Sequence, residues 1–82
     1  MMQGKARFFA SLREVAGRSE WDWELEEGAT VGTLLADLCA RSPGLEAEVE
    51  RAWIAVNRRY ATPDRQLEDG DEVAFFPPVS GG

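Results

Sequence analysis

The chain has 82 residues, 44% of them hydrophobic, and a formal net charge of −6, which bounds it to one small acidic domain. That charge argues against nucleic acid as the main ligand, because phosphate backbones are held by Lys and Arg. No apolar run approaches the roughly 20 residues of a membrane helix, and no apolar leader core follows the N-terminus, so a cytoplasmic protein with no membrane partner is expected. One cysteine, Cys39, and no histidine leave no internal disulfide, no ordinary zinc site and no His-based nucleophilic catalysis.

Lys5 to Phe9 reads as a strand with Ala6 and Phe8 on one face and Arg7 and Phe9 on the other. Leu12, Val15 and Ala16 recur at helical spacing in a short turn that Gly17 ends. Glu20 to Leu25 alternates without a fault: Trp21, Trp23 and Leu25 face inward, the acids between them outward. After a turn at Glu27-Gly28, Thr30 is a good N-cap for a main helix whose apolar face is Val31, Leu34, Leu35, Leu38 and Cys39. Pro43-Gly44 stop it. Leu45 to Arg51 holds a further helical turn. Trp53 to Val56 is a third strand, Asn57-Arg58-Arg59 a tight basic turn, and Tyr60-Ala61 a short returning strand. Glu68 to Asp71 forms a turn around Gly70, so Asp69 and Asp71 read as turn residues rather than metal ligands. Glu72 to Phe76 is the last strand, closed by Pro77-Pro78, which cannot donate to a ladder. Cys39 and the three tryptophans, Trp21, Trp23 and Trp53, are expected in the core.

This order predicts a single α+β domain over 1–82, a mixed sheet packed on one main helix. The first and last strands lie side by side in the middle, the β-grasp (ubiquitin-like) arrangement. Parity sharpens the picture. Ala6, Phe8, Val73 and Phe75 go against the helix, and Phe9 and Phe76 project from the opposite face as an exposed apolar patch suited to a protein partner. Residues 77–82 form an extended, flexible tail ending in Gly81-Gly82. Glycine can thread channels closed to larger residues, and an ionised α-carboxylate needs activation before it accepts sulfur or an amine. The chain has no GxxxxGK[ST] or GxGxxG loop. It therefore cannot by itself activate the Gly82 carboxylate with ATP, which implies a partner that makes the acyl-adenylate; no cofactor of its own and no enzymatic activity by itself are expected.

Phe8-Phe9-Ala10, Leu12-Arg13-Glu14 with Gly17, Val56-Asn57, and the run from Asp69 through Phe75-Phe76-Pro77-Pro78-Val79-Ser80-Gly81-Gly82 resemble the small sulfur-carrier subunit of molybdopterin synthase. The likeness covers essentially the whole chain. It implies a C-terminal glycine, here Gly82, adenylated by a ubiquitin-activating-type adenylyltransferase and converted to a thiocarboxylate. The tail then enters the large subunit and gives sulfur to cyclic pyranopterin monophosphate, two small subunits flanking a dimer of large ones. Carried over residue by residue, Gly82 is the acceptor and Gly81 its threading neighbour. Phe9 and Phe76, with the Pro77, Pro78, Val79, Ser80 stem, face the partner, and Arg13 is a basic position beside them. Three other readings start from the same tail: a carrier for thiamin or tRNA thiolation, a ubiquitin-like protein modifier, and an interaction domain with an inert diglycine.

Overall fold

Alternation in short strands, interrupted by a single long amphipathic helix, leaves one five-stranded sheet with one covered face. In the computed structural model, which describes residues 1–78, the elements are β1 (Met2–Phe8), α1 (Ser11–Ala16), β2 (Glu20–Leu25), α2 (Val31–Arg41), α3 (Leu45–Val49), β3 (Trp53–Val56), β4 (Arg59–Tyr60) and β5 (Glu72–Phe76). The sheet order is β2-β1-β5-β3-β4. β1 and β5 run parallel at its centre, and every other pair is antiparallel. This is the β-grasp topology expected from the element order.

Thr30 starts α2 through a reciprocal cap. Its hydroxyl accepts from Thr33 N at 3.3 Å, and its own N–H donates to Thr33 Oγ1 at 3.1 Å. Val31, Leu34 and Leu38 are fully buried against the sheet, while Leu35 and Cys39 are half-buried at the margin. On the sheet side of this core, Phe8 and Phe75 are register partners and their rings stack at 5.6 Å. Trp21 meets Phe8 edge-on, and the Arg18 and Arg41 guanidinia lie over its ring, 5.6 and 5.5 Å from the centroid.

Trp23 is buried because Gly4 makes room for it. The indole lies over the Gly4 backbone and donates Nε1–H to Lys5 O at 3.1 Å. A Cβ at position 4 would meet Asp71 O at 2.2 Å and the indole at 2.3 Å. Since one contact is backbone from the turn before β5, the clash cannot be relieved by a rotamer change. Gly4→Ala should therefore lower stability by about 1–3 kcal/mol, measured by urea unfolding. A neutral result would show that the 68–71 turn yields freely.

That turn is anchored by Asp71, the buried carboxylate of the domain. Its oxygens accept from Asn57 Nδ2 and from Glu68 N, both at 2.8 Å, with Arg65 Nη1 at 3.6 Å. Asn57 in turn accepts from Glu72 N at 3.0 Å and donates its own N–H to Glu72 O. The reading of Asp69 and Asp71 as turn residues holds. Asp69 accepts from Gln3 N, and Asp71 accepts from Glu68 N across the turn.

Several boundaries differ from the sequence reading, and α3 ends at Val49 rather than Arg51. The β3–β4 connection is a two-residue turn, Asn57-Arg58, both at positive φ (50° and 71°), and Arg59 already pairs with Val56. Positive φ at both central positions is what a tight hairpin demands, and Asn supplies it more readily than the following Arg. β1 also begins earlier, at Met2, because Met2 to Lys5 pair with Asp22 to Leu25. No helix among the described residues is long and apolar enough to cross a membrane.

Candidate functional site

The helices cover one sheet face and leave the other open, so residues of odd number in β1 and even number in β5 are turned away from the core. Phe9 follows β1 directly, and its N–H still donates to Phe75 O at 3.2 Å. That bond carries the parallel ladder one residue further and sets the Phe9 ring on the Phe76 ring, centroids 4.7 Å apart and planes 11° from parallel. Phe9 is 39% exposed and Phe76 half-buried. The aromatic pair expected from parity is present, on the expected face.

Phe9 also begins a turn. Leu12 N–H donates to Phe9 O at 3.1 Å, and Ala10 between them holds φ 52°, ψ −126°. These are the dihedrals of the first central residue of a type II′ turn, a place usually taken by glycine. The strained alanine lies beside the exposed ring, where the chain leaves the sheet for α1.

The surface extends further than the sequence reading placed it. Trp53, expected in the core, is 46% exposed. It is the cross-strand partner of Phe76, and its ring meets Tyr60 edge-on at 5.4 Å. Tyr60 is paired with Ala55 on the same face and is 74% exposed. Phe9, Phe76, Trp53 and Tyr60 thus form one row across four strand ends. Parity in β3 carried the signal: Ile54 and Val56 belong to the core cluster, so Trp53, next to Ile54, must point the other way. Cys39 departs from expectation more mildly, lying half-buried at the edge of the core with its thiol pKa raised, chiefly by burial.

The rest of the open face is charged but internally paired. Arg7 lies 3.9 Å from Glu20 and 3.7 Å from Glu72, and Lys5 is held by Asp22 and Glu20. The uncompensated part of the face is therefore the aromatic row. Pro77, half-buried, and Pro78, exposed, continue from β5 at its end. Arg13 is exposed on α1, and no ion-pair partner for it occurs among the described residues. Val79, Ser80, Gly81 and Gly82, which the sequence assigned to the stem and the chemistry, lie outside the described residues.

Residues 6–82 match the model of the ThiS family. The chain belongs to the ThiS family. A molybdopterin synthase sulfur carrier subunit from Chlamydomonas reinhardtii is 46% identical over 83 residues, covering 99% of this chain and 100% of the relative. One from Escherichia coli is 40% identical over 80 residues, with 95% and 98% covered. The crystal structure of small archaeal modifier protein 1 from Haloferax volcanii superposes with a TM-score of 0.90 at 31% identity, covering 96% of this chain and 100% of that one. For a ThiS-family domain the β-grasp core is thus a shared frame.

Proposed function

We propose that the domain is the sulfur-carrier subunit of a molybdopterin synthase, charged on the Gly82 carboxylate. The observation that carries this reading is the exposed Phe9–Phe76 stack at the end of the central parallel pair. It sits where the chain passes into Pro77-Pro78 on its way to Gly81-Gly82. The full-length likeness to named sulfur carrier subunits supports it.

Activation takes place on a ubiquitin-activating-type adenylyltransferase. A Gly82 carboxylate oxygen attacks the α-phosphorus of ATP, pyrophosphate leaves, and the carbonyl becomes an acyl-adenylate. A sulfur nucleophile at the hydrosulfide level adds to that carbonyl carbon, the C–O bond to AMP breaks, and a thiocarboxylate remains. The carrier then docks on the large subunit and delivers the sulfur to cyclic pyranopterin monophosphate, one carrier per sulfur of the dithiolene. Two small subunits on a dimer of large subunits complete the assembly, in the cytoplasm.

The domain's own part is recognition and delivery. Burying the aromatic row against an apolar partner surface provides docking energy at roughly 25 cal/mol per Å², and the paired charges beside it set orientation more than strength. With no histidine in the chain, proton transfers fall to the partners. A second reading, a protein modifier joined to lysines by an isopeptide bond, is favoured by the likeness to small archaeal modifier protein 1. Both fates share the acyl-adenylate and differ in the nucleophile that follows.

Intact mass spectrometry after incubation with ATP, a sulfur donor and the activating enzyme separates them. A gain of one oxygen-for-sulfur exchange mapped to Gly82 is the expected result. Adducts on partner lysines without that exchange would favour the modifier. No change, with the enzyme active on another carrier, would leave an interaction domain.

A further inference from the structure

The sheet has two edges, β2 and β4. Outward backbone on an edge strand is a template for a further strand unless something covers it. At β2 the Asp22 carbonyl accepts from Arg41 Nη1 at 3.1 Å, and Glu20, Asp22 and Glu24 give that edge negative charge. The β4 edge is built differently. Its hairpin closes on the Val56–Arg59 pair, and Ala61 N–H donates inward to Ile54 O at 2.9 Å. Backbone groups in an antiparallel ladder alternate between inward and outward, so Tyr60 turns its N–H and C=O away from β3.

Next to this edge lies an open groove of about 530 Å³ with an apolar lining that includes Leu35, Val49, Ala52 and Ile54. Trp53, Tyr60 and Ala61 also line it, so the groove begins where the aromatic row ends. Charge is distributed unevenly here. Residues 51–67 hold four arginines and one aspartate, although the whole chain carries −6. Arg59 is exposed, and its register with Val56 puts it on the helix side of the sheet. No ion-pair partner for Arg59 occurs among the described residues. Glu50 lines the opposite end of the groove, at the C-terminus of α3.

We propose that the β4 edge docks an extended segment of a partner protein with the pattern apolar–x–acidic, running antiparallel to β4. The middle residue lies opposite Tyr60 and exchanges both backbone hydrogen bonds with it. Alternation then turns its two neighbours to the helix side. The apolar residue falls opposite Ala61, at the groove, and the acidic residue falls opposite Arg59. The charge complement is local: an acid at the other end would meet Glu50 instead. Because β4 is two residues long, backbone pairing alone holds little. The groove and Arg59 supply the selectivity, as side-chain pockets do wherever a strand is added to a sheet edge.

The test is an amide NMR titration of the isotope-labelled full chain with the peptide acetyl-Thr-Leu-Thr-Glu-Thr-amide. Saturable shifts at Leu35, Arg59, Tyr60 and Ala61 are expected. Alanine in place of the peptide's leucine should weaken binding about tenfold or more, the scale of three buried carbon groups. N-methylation of the central threonine removes one edge hydrogen bond and should cost about fivefold. The reversed peptide, acetyl-Thr-Glu-Thr-Leu-Thr-amide, and Arg59→Glu in the chain should each cost about threefold, the scale of an exposed ion pair. The peptide variants leave the chain untouched, so no loss of fold can imitate their effect. Absence of saturable shifts at Arg59 to Ala61, shifts centred on Phe9 and Phe76, or equal affinity for the reversed peptide would overturn the proposal. So would concentration-dependent broadening of β4 in the chain alone, which would make a second copy the occupant. No partner enzyme enters the measurement, so its failure would leave the sulfur-carrier reading standing.

Discussion

A chain extended by one residue beyond Gly82 should accept no sulfur at all. The group to be adenylated is a carboxylate, and an added residue converts it into a peptide carbonyl, which has no oxygen free to attack ATP. Cleavage and recharging apart, the loss is complete rather than graded. Stability should not move with it, because among the described residues the buried set ends at Phe75 and none of it lies beyond β5. Intact mass after incubation with ATP, sulfur donor and activating enzyme measures the first effect, and thermal melting the second. An extended chain in which oxygen-for-sulfur exchange still mapped to Gly82 would rule out chemistry at a free terminal carboxylate. A drop in melting temperature would mean that the end of the chain contributes to the core.

Neighbouring phenylalanines should behave as opposites. Phe75 is fully buried and stacked on Phe8 beneath α2, whereas Phe76 is half-buried and stacked on Phe9 in the open. Phe75→Ala removes a buried ring and leaves a cavity, which costs about 3–5 kcal/mol. A domain of this length holds roughly 4–12 kcal/mol in total, so that variant should be largely unfolded on warming. Phe76→Ala loses mainly one exposed stacking contact, about 1 kcal/mol. Its binding to the large subunit should nevertheless weaken about 30-fold or more, as expected for an aromatic anchor at the centre of an interface. Trp53→Ala should fall in the same class, since Trp53 is the cross-strand neighbour of Phe76. Urea unfolding and titration calorimetry on the three variants give the comparison. Equal stability losses for Phe75→Ala and Phe76→Ala, or unchanged partner affinity for Phe76→Ala, would remove the aromatic row from the interface.

Much of this was legible in the chain itself. Alternation in Glu20 to Leu25, the Thr30 cap and the Val31, Leu34, Leu38 stripe each report a local period that any packed structure must respect. They gave the elements, and parity gave the correct face for Phe8, Phe9, Phe75 and Phe76. Trp53 was misplaced because hydrophobicity was read ahead of parity. A tryptophan at the start of a buried-looking four-residue strand resembles core, yet alternation with Ile54 turns it outward. Gly4 and Ala10 gave no local sign of their roles. The first answers to an indole from another strand, the second to a turn whose dihedrals come from the exit of β1.

By itself the sequence determined the acidic charge, the strands and main helix, the two-faced character of β1, β2 and β5, and a diglycine in a chain with no histidine. Those follow from composition and from periodicities within a few residues. Only the tertiary structure decided the cross-strand register. The β3–β5 register adds Trp53 to the Phe9–Phe76 pair that strand order and parity already anticipated, and the β1–β2 register places Lys5 against Asp22. Alternation tells each residue which face it occupies. Who sits beside it depends on strand order and register, set by closing long loops around a common core.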